Sequence, residues 1–305
     1  MTVQSKLRAI VLALVGAACL LPLASTAQAE GYLQPFTEGR NNLHRNITGD
    51  NLNAFATTLR ESGRIVIDIE MENIAQCTTL NKRCLRFHLV SAPNPDNRGW
   101  DLIGGVPKDD YGKRWRTNRD RDYRPTDIES LNKHVANPGG QGGANQVYYA
   151  ALWIDNRENL AWASFTDIER NRFNREFRER VRDGSMVLVD LEASGFGNQK
   201  VAAIFVRPRA ERRTSRWRPS QAEYAADAPR IFAPGGGWPL YMRPGSKFDM
   251  TLRQDRVREA RVFTALNFQQ LQNRLSAARS DGFQLVDIER NGNKWLVVFL
   301  RRRSE

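Results

Sequence analysis

Apolar residues along this chain keep two rhythms in turn. From Thr166 to Gly184 they recur at Phe173, Phe177 and Val181, the spacing of one buried helical face. From Met186 to Glu192 they alternate. Val187, Val189 and Leu191 share one side and Asp190 and Glu192 the other, as in a half-buried strand. A turn and a second apolar strand, Lys200 to Arg207, follow. The same order returns from Thr264, with Phe268, Leu271 and Leu275, then Gly282, then Leu285 to Glu289. There the hairpin signal Asn291-Gly292 leads into Lys294 to Arg301. It occurs a third time from Thr48, with Leu52, Phe55 and Leu59, then Gly63, then Ile65 to Glu70, returning through Leu85 to Val90. The spacing predicts a helix opened by a Thr cap, closed by a glycine in a left-handed conformation, and followed by a β-hairpin.

A degenerate fourth copy begins at Thr126. Thr126-Asp-Ile-Glu129 reads as a capping box, like Thr166-Asp-Ile-Glu169, and predicts a helix to about Ala136. A glycine loop, Asn137 to Gly143, replaces the first strand of that copy, and Gln146 to Trp153 supplies the second. The expected fold class is therefore α+β: tandem helix plus β-hairpin repeats in a single domain, residues 30–305. The units are placed at about 48–90, 126–165, 166–207 and 264–302. Residues 91–125 and 208–260, rich in Arg, Pro, Asp and Trp, read as insertions.

Certain residues carry a resemblance. Tyr149-Ala-Ala-Leu-Trp153, Leu160-Ala-Trp162, Thr166, Phe173, Phe177, Gly184 and Val189-Asp-Leu-Glu192 resemble the bacterial tandem repeat found in the non-catalytic region of polyglycine-hydrolase-type secreted proteins. Val286-Asp-Ile-Glu289 with Trp295 to Leu300 fits the same pattern. The resemblance implies blades of a propeller-like array. It also implies a binding or structural module, because catalytic members keep their Ser-x-x-Lys nucleophile in a separate domain. No such motif is read after the leader here.

The leader is the next feature. Lys6 and Arg8 precede an apolar run from Ala9 to Ala24, and Ala27-Gln28-Ala29 is a small-x-small cleavage site. Residues 1–29 are expected to be a Sec signal peptide cut after Ala29, giving a periplasmic or secreted protein with no transmembrane segment. A lipid anchor at Cys19 is disfavoured, because Gly16-Ala17-Ala18 lacks the large aliphatic residue such sites carry. The mature chain then holds two cysteines, Cys77 and Cys84, expected to form a disulfide at a hairpin tip.

Charge acquires its meaning from this address. The chain has 46 Lys+Arg against 34 Asp+Glu, a net +12. Export makes an anionic envelope component or an acidic protein the expected partner, and no nucleic acid is expected. The densest cationic run is Arg207, Arg209, Arg212, Arg213, Arg216, Trp217 and Arg218, where guanidiniums flank an aromatic ring. Lys113-Arg-Trp-Arg116 is a second such stretch, half neutralised by Asp109, Asp110, Asp120 and Asp122.

Candidate chemistry is sparse. Three histidines, His44, His88 and His134, sit in no triad signature, and no Gly-x-Ser-x-Gly elbow occurs. Gly139 to Gly143 and Pro234 to Gly237 lack phosphate-loop spacing. Neither a cofactor nor a metal is expected. The Asp-x-Glu pairs are the one repeated constellation. Pairing with strand arginines such as Arg86, Arg207 and Arg301 is the preferred reading. The alternative is a hydrolase acting on envelope polymer or peptide, with Asp190, Glu192, Asp287 and Glu289 in acid-base roles. The sequence thus favours an exported non-catalytic interaction module that binds an anionic partner.

Overall fold

The alternating stretches fold as strands and the helical spacings as helices, but the repeating unit starts one strand earlier than the sequence pattern places it. A computed structural model describes residues 41–74, 82–95, 97–136, 143–182, 186–194, 200–207, 213–217, 238–243, 249–254, 257–291 and 293–302. They belong to one compact unit, Leu33–Glu305.

The first sheet contains β1 (Asn42–Thr48), β2 (Arg64–Asn73) and β3 (Leu85–Pro93), with helix α1 (Leu52–Glu61) between β1 and β2. The second contains β4 (Trp100–Pro107), helix α2 (Lys108–Asp120), β5 (Tyr123–Ala136) and β6 (Gly143–Asp155). The third contains β7 (Trp162–Glu169), helix α3 (Arg170–Phe177), β8 (Val187–Ser194) and β9 (Lys200–Val206). The fourth is β10 (Arg213–Trp217), β11 (Trp238–Arg243) and β12 (Asp249–Gln254). The fifth contains β13 (Val257–Leu266), helix α4 (Phe268–Ser280), β14 (Gln284–Asn291) and β15 (Lys294–Arg302). All five sheets are three-stranded and share one order, with the third strand in the middle. Every pairing is antiparallel.

The fold is thus α+β with a repeated strand–helix–strand–strand unit, and several assignments change. Residues 91–125 are no insertion, since they hold β4 and α2. Residues 208–260 hold the fourth sheet and the start of β13. The helix predicted from Thr126 to Ala136 is strand β5, so His134 lies in a strand as well. Thr126 and Thr166 open no capping boxes. Thr166 lies in β7, and Glu169 caps α3 without a side-chain bond. Thr48 ends β1 and Asn51 caps α1. Thr264 lies in β13, and the real capping box is Asn267 with Gln270. The threonines belong to the preceding strand because β-branched side chains suit a pleated surface as well as a cap. Gly63 and Gly282 do follow helix ends with φ of 66° and 74°. Gly184 lies outside the described residues.

Two kinks recur in each complete unit. The first strand slips register near its end, between His44 and Ile47, Ile103 and Val106, Phe165 and Ile168, and Phe263 and Leu266. Each slip contains one residue at positive φ: Asn46, Gly105, Asp167 and Ala265. The second strand slips immediately before its aspartate, at Val66/Asp68, Pro125/Asp127, Leu188/Asp190 and Leu285/Asp287. Such bulges bend a strand and re-aim its side chains.

The second strands also adjoin one another. β2 contacts β5, β5 contacts β8, β8 contacts β11, β11 contacts β14 and β14 contacts β2, which closes a ring. The arrangement is propeller-like, with second strands around the axis and first strands outside. Apolar cores lie between neighbouring blades. Leu52, Phe87, Trp100 and Leu152 join the first sheet to the second. Tyr149, Trp153 and Ile204 join the second to the third, and Leu43, Val90, Leu271 and Phe299 join the fifth to the first.

Candidate functional site

The second-strand bulges bring four Asp-x-Glu pairs together at the axis: Asp68/Glu70, Asp127/Glu129, Asp190/Glu192 and Asp287/Glu289. Each strand slips one residue before its aspartate, and three of the four carboxyls reach across to the preceding blade of the ring. Asp127 Oδ2 accepts the Ile69 N–H at 2.7 Å. Asp190 Oδ2 accepts the Ile128 N–H at 2.8 Å. Asp68 Oδ2 accepts the Ile288 N–H at 3.2 Å. In all three cases the donor is the residue that follows the neighbouring blade's own aspartate. These bonds satisfy backbone N–H groups on the edge strands of the sheets, which would otherwise be costly to bury.

Burial and mutual repulsion dominate the electrostatics. Asp68, Glu70 and Asp127 are buried. Burial raises all of the resolved axial carboxyls, and neighbouring carboxylates add to the effect. Asp68, Glu70, Asp127, Glu129 and Glu289 lie well above the ordinary carboxylate range. Asp190 is pushed up to about 7 by burial, with bonds from the backbone of Ile128 and Leu191 opposing the rise. Asp287 is pushed up to about 6 by burial, with a hydrogen bond from Asp68 opposing the rise.

The expected arginine partners serve elsewhere. Arg86 pairs with Glu72 at 3.5 Å, and Arg301 pairs with Glu259. Arg207 lies just past β9, where its N–H bonds the Ala161 carbonyl. Pairing with strand arginines is thus replaced by capping of backbone amides. The reason is positional: the bulge points the aspartate at the neighbouring blade's main chain.

Asp127 and Glu129 were missed as members of this set because Thr126 made the tripeptide look like a helix start. Asp-Ile-Glu occurs at 68–70, 127–129, 167–169 and 287–289. Three of these are axial. The fourth ends β7, where Asp167 takes positive φ and pairs with Lys108 and, at 3.4 Å, with Lys200. Ile128, Leu131 and Val135 keep helical spacing, so the apolar pattern itself hid the strand.

The remaining candidates are dispersed. In the basic run, Arg213, Arg216 and Trp217 belong to β10, paired with β12. Arg209, Arg212 and Arg218 lie outside the described residues. In the other basic stretch, Trp115 donates to Ser164 at 2.8 Å and packs between Trp153 and Trp162, so its ring is internal. Cys84 is buried before β3, while Cys77 and residues 1–29 lie outside the described residues. His44 is buried against Ser91, and burial pushes its pKa down to about 3. The Ser-x-x-Lys spacing does occur once, at Ser130 to Lys133. It falls within strand β5. A cleft of about 430 Å³ between the second and third sheets is lined by Lys108, Tyr148 and Asp167. Its lysine is already held by Asp167. Among the described residues no group of His, Cys, Asp and Glu is placed to hold a metal ion, and no helix is long and apolar enough to cross a membrane.

Comparison with known families fits this geometry. Residues 97–156 and 159–208 each match the polyglycine hydrolase-like structural repeat. The two matched segments enclose the second and third blades, β4 to β6 and β7 to β9, so one repeat is one strand–helix–strand–strand unit. The chain carries tandem copies of this repeat, the family its Trp strands and Val-Asp strands resemble. No curated protein matches the chain.

Proposed function

We propose that the chain is an exported, non-catalytic interaction module of the cell envelope or secretome that binds an anionic partner. The observation that carries this reading is the use of the repeated carboxylates. Asp68, Asp127 and Asp190 cap backbone amides between blades of a structural repeat, a role that recurs from unit to unit, whereas a catalytic pair is needed once. The leader-like first 29 residues support export, and the net +12 supports an anionic partner. In this reading Cys77 and Cys84 form a disulfide, and Arg207, Arg209, Arg212, Arg213, Arg216, Trp217 and Arg218 make the contact. Charge reversal of Arg212, Arg213, Arg216 and Arg218 is expected to abolish salt-sensitive retention on anionic envelope fractions. Unchanged retention would contradict it.

One observation favours a second reading. Asp190 and Asp287 converge on the axis with pKa values of about 7 and 6, in the range useful for acid-base work. A hydrolase acting on envelope polymer or peptide through Asp190, Glu192, Asp287 and Glu289 would lose turnover in Asp190→Asn. An absence of turnover by the wild-type chain on such substrates removes this reading.

A further inference from the structure

The four complete units supply an internal standard for what the fold requires. A side chain that the architecture needs recurs in each unit, and one that appears once answers to another demand. Two residues beyond the axial glutamate, the first sheet has Glu72 where the others have Leu131, Ser194 and Asn291. Opposite that axial glutamate, His88 stands where the others have Ala150, Ala202 and Leu296. In the first-strand bulge, Arg45 stands where the others have Gly104, Thr166 and Thr264. Directly after the axial glutamate, the fifth sheet has Arg290 where the others have Met71, Ser130 and Ala193. All four exceptions meet at one place, the junction of the first and fifth sheets.

Glu72 pairs with Arg290 and, at 3.5 Å, with Arg86, and it lies 3.2 Å from His88 Nε2. Burial lowers the pKa of His88, so its ring is neutral near pH 7. Arg45 is close enough for Arg290 and Arg86 to depress its own pKa, after burial. Its Nε is buried without an acceptor. Among the described residues no carboxylate forms an ion pair with it. Its guanidinium instead lies 3.6 Å above the Phe268 ring and 5.3 Å from that of Trp295. Among the described residues, three guanidiniums thus gather around Glu72. Phe268, 41% exposed, stands in solvent over the Arg45 guanidinium. It is also the first residue of α4, so the positive end of that helix adds to the field.

We propose that this junction binds a phosphate-type oxyanion, held by Arg45 together with Arg86 and Arg290 and walled by Phe268. The guanidinium fork matches phosphate oxygens in pairs. An acceptor oxygen at Arg45 would also satisfy its buried Nε. The site uses none of residues 207–218, so its failure and that of the proposed envelope contact are separate outcomes.

The test is titration calorimetry of the full chain with inorganic phosphate, beside sedimentation with phosphatidylglycerol and phosphatidylcholine vesicles. Arg45→Gln and Arg86→Gln are the site variants. Arg119→Gln, whose arginine is paired with Asp120 on the surface of α2, is the control. Loss of a charge-assisted contact should weaken phosphate binding about tenfold in both site variants and leave the control unchanged. If only phosphatidylglycerol vesicles bind, and the site variants release them, the phosphate belongs to a lipid headgroup. Thermal melts confirm that each variant is folded. Arg86→Gln, with its exposed side chain, keeps the test open if Arg45→Gln does not fold. The proposal falls if folded wild-type chain binds neither probe, or if the folded site variants bind as the wild type does.

Discussion

Asn46, Gly105, Asp167 and Ala265 occupy one structural position, the left-handed residue of the first-strand bulge. Three of them suit it. Glycine has no Cβ to clash, and Asn and Asp tolerate this region better than other side chains. Ala265, at φ 56°, does not share that tolerance. Ala265→Gly is therefore expected to raise stability by up to about 1 kcal/mol, read as a higher denaturation midpoint. The reverse change at the equivalent site should do harm. A Cβ at Gly105, at φ 52°, would stand 2.1 Å from Leu85 Cδ1 in the packed core between the first two sheets. Gly105→Ala should lower the same midpoint. Equal effects at the two sites would show that the bulges are not equivalent.

Elements were easier to read than the phase of the unit they build. Phe55, Phe173 and Leu271 marked real helices, and Gly63 and Gly282 their ends. Ile67, Val189 and Val286 marked real strands. The strand Leu160 to Phe165 was visible ahead of Thr166, but the first strands of the other units were not, because the bulge breaks the alternation near the end. Val106, Ile168 and Leu266 resume pairing out of step with what precedes them. A threonine beside the bulge, as at Thr166 and Thr264, then resembles a cap, and the unit is counted from the wrong place. The stretches taken for insertions carry Arg, Pro and Trp in place of the usual aliphatic residues. Even so, β4 and β10 to β12 pair in the strand order of the other sheets. The candidate site was half legible. The carboxylates were visible as a repeated pattern, but their partners are main-chain amides, which no side-chain pattern in a sequence can announce.

The whole molecule is a ring of sheets closed around buried acid. In the first three sheets an aspartate reaches the backbone of the adjoining blade, that of the fifth, first and second sheet in turn. This couples the fold to pH. A carboxyl whose folded pKa is raised above its unfolded value stabilises the fold fully at pH below about 4, and that contribution is lost as pH rises through the folded value. For Asp287 and Asp190 those folded values are about 6 and 7. Asp68, Asp127, Glu70, Glu129 and Glu289 face them around the axis, each also raised. The chain should thus be less stable at pH 8 than at pH 5, as deprotonation brings like charges together.

The same physics separates a carboxyl that holds the ring from one that performs chemistry. Asparagine at position 190 keeps an oxygen to accept the Ile128 N–H but carries no charge at any pH. The most direct measurement is thermal unfolding of wild type and Asp190→Asn at pH 5 and pH 8. A structural role predicts similar melting at pH 5 and, at pH 8, a variant that melts higher than wild type by about 3 °C or more. A variant that melts at or below the wild type at pH 8 would contradict the account of the axis as a protonated, amide-capping ring.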